Sequence, residues 1–352
     1  MINLILTGGG TAGHCSPCLA LLPQLEKRFD KIYYIGSENG IEKDMVKLAG
    51  LKYFSVPTVK LKRSISAANL KVPFTLARGV SEAKRLLKTL DAGVVFSKGG
   101  YVALPVAIAA GKLKIPLVLH ESDLSLGLAN KISARYAEEV LTSFRETAAG
   151  LKNGLYTGAP INHALLCSTR HEGRKRYGIT ADKPTLLVVG GSSGSTAINR
   201  EIRGILPKLT ERFTVLHLCG KNNVDLSLKG VNGYFQVPFE PEMKYAYAAA
   251  DLAVSRAGSN SIFELMSLKI PALLIPLPKG ASRGDQIENA EYFSSRGAFR
   301  MIRQEEITPE KLYSEILKTY ETRLNLTLSQ QKYANNANDK IVERIVRAGL
   351  KK

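Results

Sequence analysis

An apolar segment that runs directly into several glycines occurs twice in this sequence, and this repeat constrains the fold more than any other feature. Residues 2–7 lead into Gly8-Gly9-Gly10-Thr11-Ala12-Gly13-His14, and residues 185–189 lead into Gly190-Gly191-Ser192-Ser193-Gly194-Ser195. Helical spacing follows each glycine segment, so each predicts a strand, a tight turn and a helix. Two such units predict an α/β chain of two Rossmann-like domains.

Short apolar runs typical of buried parallel strands support this prediction in both halves. They lie at residues 32–35, 94–97, 117–120, 140–142, 215–218, 252–255 and 272–277. Gly158-Ala159-Pro160 interrupts both helix and strand and therefore predicts the crossover between domains. We expect one domain at residues 1–160 and a second at residues 161–337.

The first glycine turn is suited to a phosphate or diphosphate, because glycines let the backbone approach a ligand and the amides of a helix start attract anions. Gly8, Gly10 and Gly13 also satisfy the dinucleotide fingerprint. A nicotinamide enzyme would need an acidic residue after the second strand, where only Glu38 is available. That interpretation also leaves the glycine turn at residues 190–195 unexplained. His14 is either structural or a group that removes a hydroxyl proton near neutral pH.

A third strand, turn and helix lies at residues 251–268, in the predicted second domain. We expect Ser259 or Asn260 to cap the helix, whose amino end would stabilise phosphate charge. Glu264 either complements the helix dipole or accepts hydrogen bonds from the hydroxyls of a ribose. Together the turns predict a cleft between two domains, with a nucleotide diphosphate on one side and a second phosphorylated molecule on the other.

The charge of the chain calls for anionic partners, since 49 Lys and Arg oppose 31 Asp and Glu. Nucleic acid is not expected, because there is no zinc-finger spacing, no aromatic RNA-binding signature and no Trp. Residues 60–88 mix basic and apolar side chains, which is typical of a segment that binds an anionic membrane surface or of an ordinary solvated helix. Residues 101–110, the longest apolar run, are too short to cross a bilayer. Because no signal-peptide pattern opens the sequence, we expect the cytoplasm.

The cysteines and acidic residues predict neither redox chemistry nor a metal. Cys15-Ser16-Pro17-Cys18 has redox spacing, but no second pair completes a zinc site and Pro17 suits the first turn of a helix. There is no Asp-x-Asp pair, and Glu240-Pro241-Glu242 is the nearest imitation. We therefore expect no metal and no cofactor.

Six motifs in a fixed order closely resemble the MurG family of bacterial transferases over essentially the whole chain. They are Gly8-Gly9-Gly10-Thr11-Ala12-Gly13-His14, Gly99-Gly100-Tyr101-Val102, His120-Glu121-Ser122-Asp123 with Leu128-Ala129-Asn130-Lys131, Gly190-Gly191-Ser192, Ser255-Arg256-Ala257-Gly258-Ser259, and Asp285-Gln286-Ile287-Glu288-Asn289-Ala290. The resemblance implies a glycosyltransferase-B fold. It also implies an inverting transfer of N-acetylglucosamine from UDP-N-acetylglucosamine to undecaprenyl-diphosphate-linked muramoyl pentapeptide.

The resemblance implies roles for individual residues. His14 would be the catalytic base, with Glu121 beside it. The acceptor would be bound by Gly9, Gly10, Thr11, Gly13, Tyr101 and Asn130. The donor would be bound by Asp123, Ser192, Phe239, Gly258, Ser259, Glu264, Asp285 and Gln286.

The resemblance also implies where the enzyme works and how its domains divide the work. The first domain would bind the acceptor and the anionic inner membrane surface, on its cytoplasmic face, through residues 60–88. The second domain would bind the UDP-sugar, and a final helix at about 338–352 would pack back on the first domain.

Four residues depart from the pattern of the family: Asp123, Asn162, Ser193 and Ser195. Asn162 stands where relatives often have an arginine, and the other three could alter the sugar pocket. Another lipid-directed UDP-sugar glycosyltransferase, a UDP-sugar epimerase of the same fold, and an inactive binding module are therefore alternatives.

Overall fold

The computed structural model describes residues 2–59, 72–191, 193–333 and 336–351. The chain divides into two compact units, Met1–Asn162 with Asn335–Lys352, and His163–Ala334. Among the described residues, no helix has the length and apolar character that crossing a bilayer requires.

The first unit is built on a seven-stranded sheet in which every described strand pair is parallel. Its strands are β1 Asn3–Thr7, β2 Lys31–Ser37, β3 Lys52–Val56, β4 Ala92–Ser97, β5 Leu117–Glu121, β6 Glu139–Thr142 and β7 Gly154–Tyr156. They are ordered β3-β2-β1-β4-β5-β6-β7. The chain order therefore reverses between β1 and β4, which is where open α/β sheets bind ligands.

Helices cover both faces of this sheet, because β1 presents apolar side chains to each face in turn. Leu4 and Leu6 belong to one core cluster, and Ile5 belongs to another. The helices of the unit's first segment are α1 Ala12–Ala20, α2 Leu22–Leu25, α3 Glu42–Leu48, α4 Val72–Thr89, α5 Leu104–Lys112, α6 Leu128–Ser133 and α7 Arg145–Ala149.

The second unit repeats this plan with six parallel strands. Its strands are β8 Thr185–Val189, β9 Thr214–Leu218, β10 Tyr234–Val237, β11 Leu252–Ser255, β12 Ala272–Leu274 and β13 Arg300–Met301. The order is β10-β9-β8-β11-β12-β13, so the reversal lies between β8 and β11. Its helices are α8 Arg170–Arg176, α9 Thr196–Gly204, α10 Leu206–Arg212, α11 Met243–Ala249, α12 Ser259–Ser267, α13 Asp285–Ser294, α14 Pro309–Glu321 and α15 Arg323–Gln331.

The last helix, α16 Ala337–Gly349, belongs to the first unit. Its buried residues Ile341 and Ile345 join the core cluster that contains Leu4 and Leu6. The Asn338 side chain accepts a hydrogen bond from the Ile161 N–H (2.9 Å) and donates one to the Ile161 carbonyl (2.8 Å). These contacts fix the end of the chain to the unit in which it begins.

The two parallel sheets confirm the predicted α/β class with two Rossmann-like domains, but two local predictions are wrong. Gly258 is the N-cap of α12, so neither Ser259 nor Asn260 caps it. Pro17 lies inside α1, because the helix starts at Ala12 directly after the glycine turn.

Cys15 and Cys18 are buried free thiols, and burial raises the pKa of Cys15 to about 11, which makes a reactive thiolate unfavourable.

Candidate active site

The first glycine turn follows β1 and is packed tightly by side chains from elsewhere in the unit. Gly10 has a φ of +85°, and a Cβ at this residue would collide with the Tyr101 ring. A Cβ at Gly9 would lie 2.6 Å from the carboxyl carbon of Glu42. Thr11 is the N-cap of α1 but its side chain makes no capping hydrogen bond, and both Thr11 and Gly13 are exposed. Only glycine fits the two packed positions.

Glu42 organises this turn, and the motif-based prediction missed it. Its side chain is 0% exposed. One carboxylate oxygen accepts from the Ser37 N–H (3.0 Å) and hydroxyl (2.5 Å), and the other accepts from the Gly10 N–H (3.2 Å). Burial acts to raise the pKa of Glu42, but the hydrogen bonds outweigh it and hold the pKa below its ordinary value. A buried carboxylate thus ties β2 to the glycine turn.

A second glycine turn, at Gly99 and Gly100 after β4, brings His14 and Tyr101 to the same place. Both glycines have positive φ, +83° and +81°. A Cβ at Gly100 would lie 2.9 Å from Cδ2 of the half-buried His14 imidazole. Burial raises the pKa of Tyr101. The structure therefore groups Gly9, Gly10, His14 and Tyr101 at the carboxyl ends of β1 and β4.

Glu121 and Asn130 form a buried pair beside the second glycine turn. Glu121 accepts from the Asp123 N–H (3.0 Å), the Gly127 N–H (3.2 Å) and Nδ2 of Asn130 (2.9 Å). Asn130 contacts Gly99, where a Cβ would collide with its amide. Burial raises the pKa of Glu121, followed by repulsion from Asp123. These hydrogen bonds of Glu121 hold the loop between β5 and α6, a positioning function that the predicted catalytic role does not include.

Lys98, between β4 and the second glycine turn, was also missed. Its N–H donates to the Thr7 carbonyl (2.8 Å), and its ammonium donates to the Ser122 hydroxyl. The residue is 1% exposed, and burial lowers the pKa of Lys98. A lysine is almost never buried in this way without a partner. The structure places it at the reversal of strand order in the first unit.

The glycine turn of the second unit is held by backbone contacts. Gly191 and Gly194 have φ values of +95° and +76°, and a Cβ at Gly194 would collide with the Cys219 carbonyl. Ser195 is the N-cap of α9 and accepts from the Ile198 N–H (3.4 Å). Ser192, a predicted donor contact, lies outside the described residues.

Arg256 joins this turn to the next strand of the sheet. It is 8% exposed, and one guanidinium nitrogen donates to the Ser195 hydroxyl (2.7 Å) and to Oε1 of Gln304 (2.8 Å). The other donates to the carbonyls of Ile275 (3.1 Å) and Pro276 (3.3 Å). Burial lowers the pKa of Arg256. A cation and the starts of α9 and α12 therefore meet at the strand-order reversal, an arrangement suited to a diphosphate.

Four of the predicted donor residues, Gly258, Ser259, Glu264 and Gln286, lie at α12 or α13, whereas Asp123, also predicted to bind the donor, lies in the first unit after β5. Glu264 is half-buried and accepts from the Tyr247 hydroxyl (2.8 Å), and burial raises its pKa. Gln286 accepts from the Leu277 N–H (3.0 Å), and its Nε2 lies 3.9 Å from the Cβ position of Gly258. Gly258 and Gln286 are thus neighbours.

Asp285 and Phe239 are the other two predicted donor residues of the second unit. Asp285 opens α13 and lies 3.5 Å from Nε of Arg283. Phe239 follows β10 and is exposed, with Nζ of Lys221 at 5.0 Å from its ring centroid. An exposed aromatic ring is available for stacking against a base.

The structure adds one observation about metals. Within the described part of the chain, no group of three or more His, Cys, Asp or Glu side chains could hold a metal ion.

Matches to known proteins cover both units. Residues 4–142 match the Glycosyltransferase family 28 N-terminal domain, and residues 185–345 match the Glycosyltransferase family 28 C-terminal domain. The chain is 42% identical over 355 residues to the UDP-N-acetylglucosamine--N-acetylmuramyl-(pentapeptide) pyrophosphoryl-undecaprenol N-acetylglucosamine transferase of Lachnoclostridium phytofermentans, covering 100% of both chains. It is 43% identical over 335 residues to the protein of the same name from Lachnospira eligens, covering 94% of this chain and 95% of that one.

A solved structure agrees with these matches. The crystal structure of Acinetobacter baumannii MurG is similar with a TM-score of 0.76 at 27% identity, covering 99% of this chain and 100% of that chain. The resemblance predicted from the motifs is confirmed. Family models covering both halves, and relatives matched over their whole length, lead to one conclusion: the chain belongs to glycosyltransferase family 28.

Proposed function

We propose that this enzyme transfers N-acetylglucosamine from UDP-N-acetylglucosamine to undecaprenyl-diphosphate-linked muramoyl pentapeptide. The observation that carries the proposal is the 42–43% identity, over 94–100% of the chain, to relatives whose names state this transfer. The glycine turns support it, because the reaction needs one diphosphate site for the donor and another for the acceptor.

In this proposal the second unit binds the donor. The starts of α9 and α12 and the guanidinium of Arg256 supply the positive potential that a nucleotide diphosphate needs. Glu264 accepts hydrogen bonds from the ribose, Phe239 stacks on the uracil, and Gln286 with Asp285 reads the sugar hydroxyls. The same positive groups stabilise the charge that develops on UDP as it leaves. Ser192, Gly258 and Ser259 complete the donor contacts proposed in the second unit, and Asp123 is the predicted donor contact that the first unit carries.

The first unit then binds the acceptor and supplies the base. His14 accepts the proton of the muramoyl hydroxyl, the hydroxyl oxygen attacks the anomeric carbon, and the bond from that carbon to UDP breaks with inversion. Gly100 and Tyr101 support the proposal, because their packing against the first glycine turn restricts where the imidazole can lie. Glu121 and Asn130 hold the neighbouring loop of the acceptor site.

We further propose that the enzyme works at the cytoplasmic face of the membrane as a peripheral protein. Support comes from α4, where the side chain of Phe74 is 76% exposed. Arg78, about one turn further on, and Arg85 and Lys88, towards the end of the helix, are exposed as well. Exposed apolar and basic side chains on one helix favour an anionic lipid surface. Residues 60–71 of the predicted membrane segment lie outside the described residues.

The test is release of UDP from UDP-N-acetylglucosamine with and without the lipid-linked muramoyl acceptor. We expect release only with the acceptor, together with a disaccharide product. Release without any acceptor would instead indicate an epimerase. Tight UDP binding with no release would indicate a binding protein, and release with a different lipid only would indicate another acceptor.

A further inference from the structure

We propose that Lys98 and Ser122 form a buried recognition pair for the diphosphate of the lipid acceptor. Ser122 donates its hydroxyl hydrogen to a phosphate oxygen, and Lys98 orients and polarises that hydroxyl from behind. Lys98 is a positioning residue in this scheme, and Ser122 is the contact. The inference rests on the proposed function, because it names the acceptor as the source of the diphosphate.

Lys98 and Ser122 lie at the ends of two neighbouring strands of the sheet. Lys98 directly follows β4, and Ser122 directly follows β5, the next strand along. The Cβ of Lys98 lies 3.1 Å from the Cβ position of Gly8, so it borders the first glycine turn. The pair therefore lies at the carboxyl ends of the strands, beside the proposed acceptor site.

The hydrogen bond between the two side chains can have only one direction when Lys98 is an ammonium. An ammonium group has only donors, so the Ser122 oxygen must accept from Lys98. The hydroxyl hydrogen of Ser122 is then left for another acceptor. Ser122 is 8% exposed whereas Lys98 is 1% exposed, so the serine is the more accessible member. The lysine acts on a ligand through the serine.

The buried ammonium of Lys98 has few bonded partners among the described residues. The bond to Ser122 is the one hydrogen bond of the Lys98 ammonium among the described residues, and none of their carboxylates lies within 4.0 Å of it. Glu121 and Asp123 attract the ammonium from further away, but both oxygens of Glu121 already accept hydrogen bonds from its own loop. A buried cation without a bonded counter-ion favours an incoming anion.

Arg256 in the second unit is a partial counterpart of Lys98. Arg256 directly follows β11 and donates its N–H to the last residue of β8, as Lys98 does to the last residue of β1. It too is buried, donates to a serine hydroxyl, that of Ser195, and has no carboxylate within 4.0 Å among the described residues. The serines come from different strands, since Ser122 follows β5 whereas Ser195 ends the glycine turn after β8. The common feature of the two units is a buried cation bonded to a serine hydroxyl at the reversal of strand order.

Steady-state kinetics of UDP release test the pair, with each substrate varied separately. For Ser122→Ala we expect the KM for the lipid acceptor to rise about tenfold, the cost of a hydrogen bond to a charged group. The KM for UDP-N-acetylglucosamine and kcat should stay within about twofold to threefold, since the donor diphosphate lies elsewhere. Ser122→Thr, which keeps the hydroxyl, should restore most of the acceptor affinity.

Lys98→Met tests the positioning role, because methionine has a similar length but no charge. We expect a similar rise in acceptor KM, and the double variant with Ser122→Ala should be little worse than either single variant, since both remove one interaction. If Lys98→Met does not fold, the two Ser122 variants decide. Thr147→Val is the matched control, because it removes a hydrogen bond to the Leu124 carbonyl (2.6 Å) in the same loop without touching the pair.

Three results would overturn the inference: an unchanged acceptor KM in Ser122→Ala, a parallel rise in the donor KM, or an equal rise in Thr147→Val. Failure of the proposed function gives a different result. In that case the wild-type enzyme itself does not transfer N-acetylglucosamine to the lipid acceptor. The assignment of the acceptor diphosphate to Lys98 and Ser122 then fails as well.

Discussion

Removing the Glu42 carboxylate should destabilise the first unit and leave the second intact. Glu42→Ala deletes the acceptor of three hydrogen bonds, from the Ser37 N–H, the Ser37 hydroxyl and the Gly10 N–H. The hydroxyl can rotate to another partner, but the two backbone donors cannot. At about 1–3 kcal/mol for each buried donor left without an acceptor, the loss is roughly 4 kcal/mol. Glu42→Gln keeps one acceptor oxygen and should lose roughly half as much.

Hydrogen exchange measured by mass spectrometry suits this prediction, because it reports the two units separately. Peptides covering residues 2–20 and 31–48 should exchange faster in Glu42→Ala, while peptides of β8 and β11 serve as the internal control. An opening free energy reduced by less than about 1 kcal/mol in the first unit would refute the reasoning. Equal acceleration in both units would also contradict it.

The pH dependence of this effect has a defined sign. The pKa of Glu42 in the folded protein lies below its unfolded value of 4.5. Its stabilising contribution is therefore fully present above that value and is lost as the pH falls through the lowered pKa. The difference between wild type and Glu42→Gln should be constant near neutral pH and shrink in acid. A difference that grows on acidification would show that the hydrogen bonds do not stabilise the ionised form.

Four further predictions concern the chemistry of the sites. His14→Ala should reduce kcat by about a hundredfold or more while the affinity for UDP-N-acetylglucosamine, measured by calorimetry, is unchanged; an unaltered rate would remove His14 from the mechanism. EDTA should leave transfer intact, and a complete loss restored by magnesium or manganese would contradict the expectation that the reaction needs no metal. Glu264→Gln should weaken UDP binding about tenfold without altering the acceptor KM, and equal UDP affinity would argue against the ribose contact. At pH 8 a thiol reagent should modify the exposed Cys167 in the native protein and spare the buried Cys15, whose pKa is about 11; rapid loss of both thiols would disprove the burial.

The inner strands of both sheets could be predicted because their signal is local, whereas the four edge strands, β3, β7, β10 and β13, were not among the predicted runs. A run of apolar residues defines β8 at residues 185–189, where a glycine follows directly, and β11 at residues 252–255, and both bounds agree with the structure. The start of α12 was predicted less well. Gly258 caps it without a side chain, so the usual preference for serine or asparagine at a cap was misleading.

The charged residues that hold the turns could not be predicted in the same way. Glu42 lies in an ordinary acidic first turn of a helix, and its importance comes from β2 and the glycine turn, which only the fold brings to it. Lys98 does carry a signal, because a serine and a basic residue precede the glycines after both β4 and β11. That internal repeat becomes meaningful only when the two strands are known to be equivalent.

The return of α16 to the first unit affects how the protein is made. The core of the first unit includes Ile341 and Ile345, which leave the ribosome after the whole of the second unit. The second unit, at residues 163–334, emerges complete while the first still lacks one of its packed helices. Synthesis therefore runs in one order and completion of the folded units in the other, and a stop codon shortly before α16 would damage the half of the enzyme that was translated first.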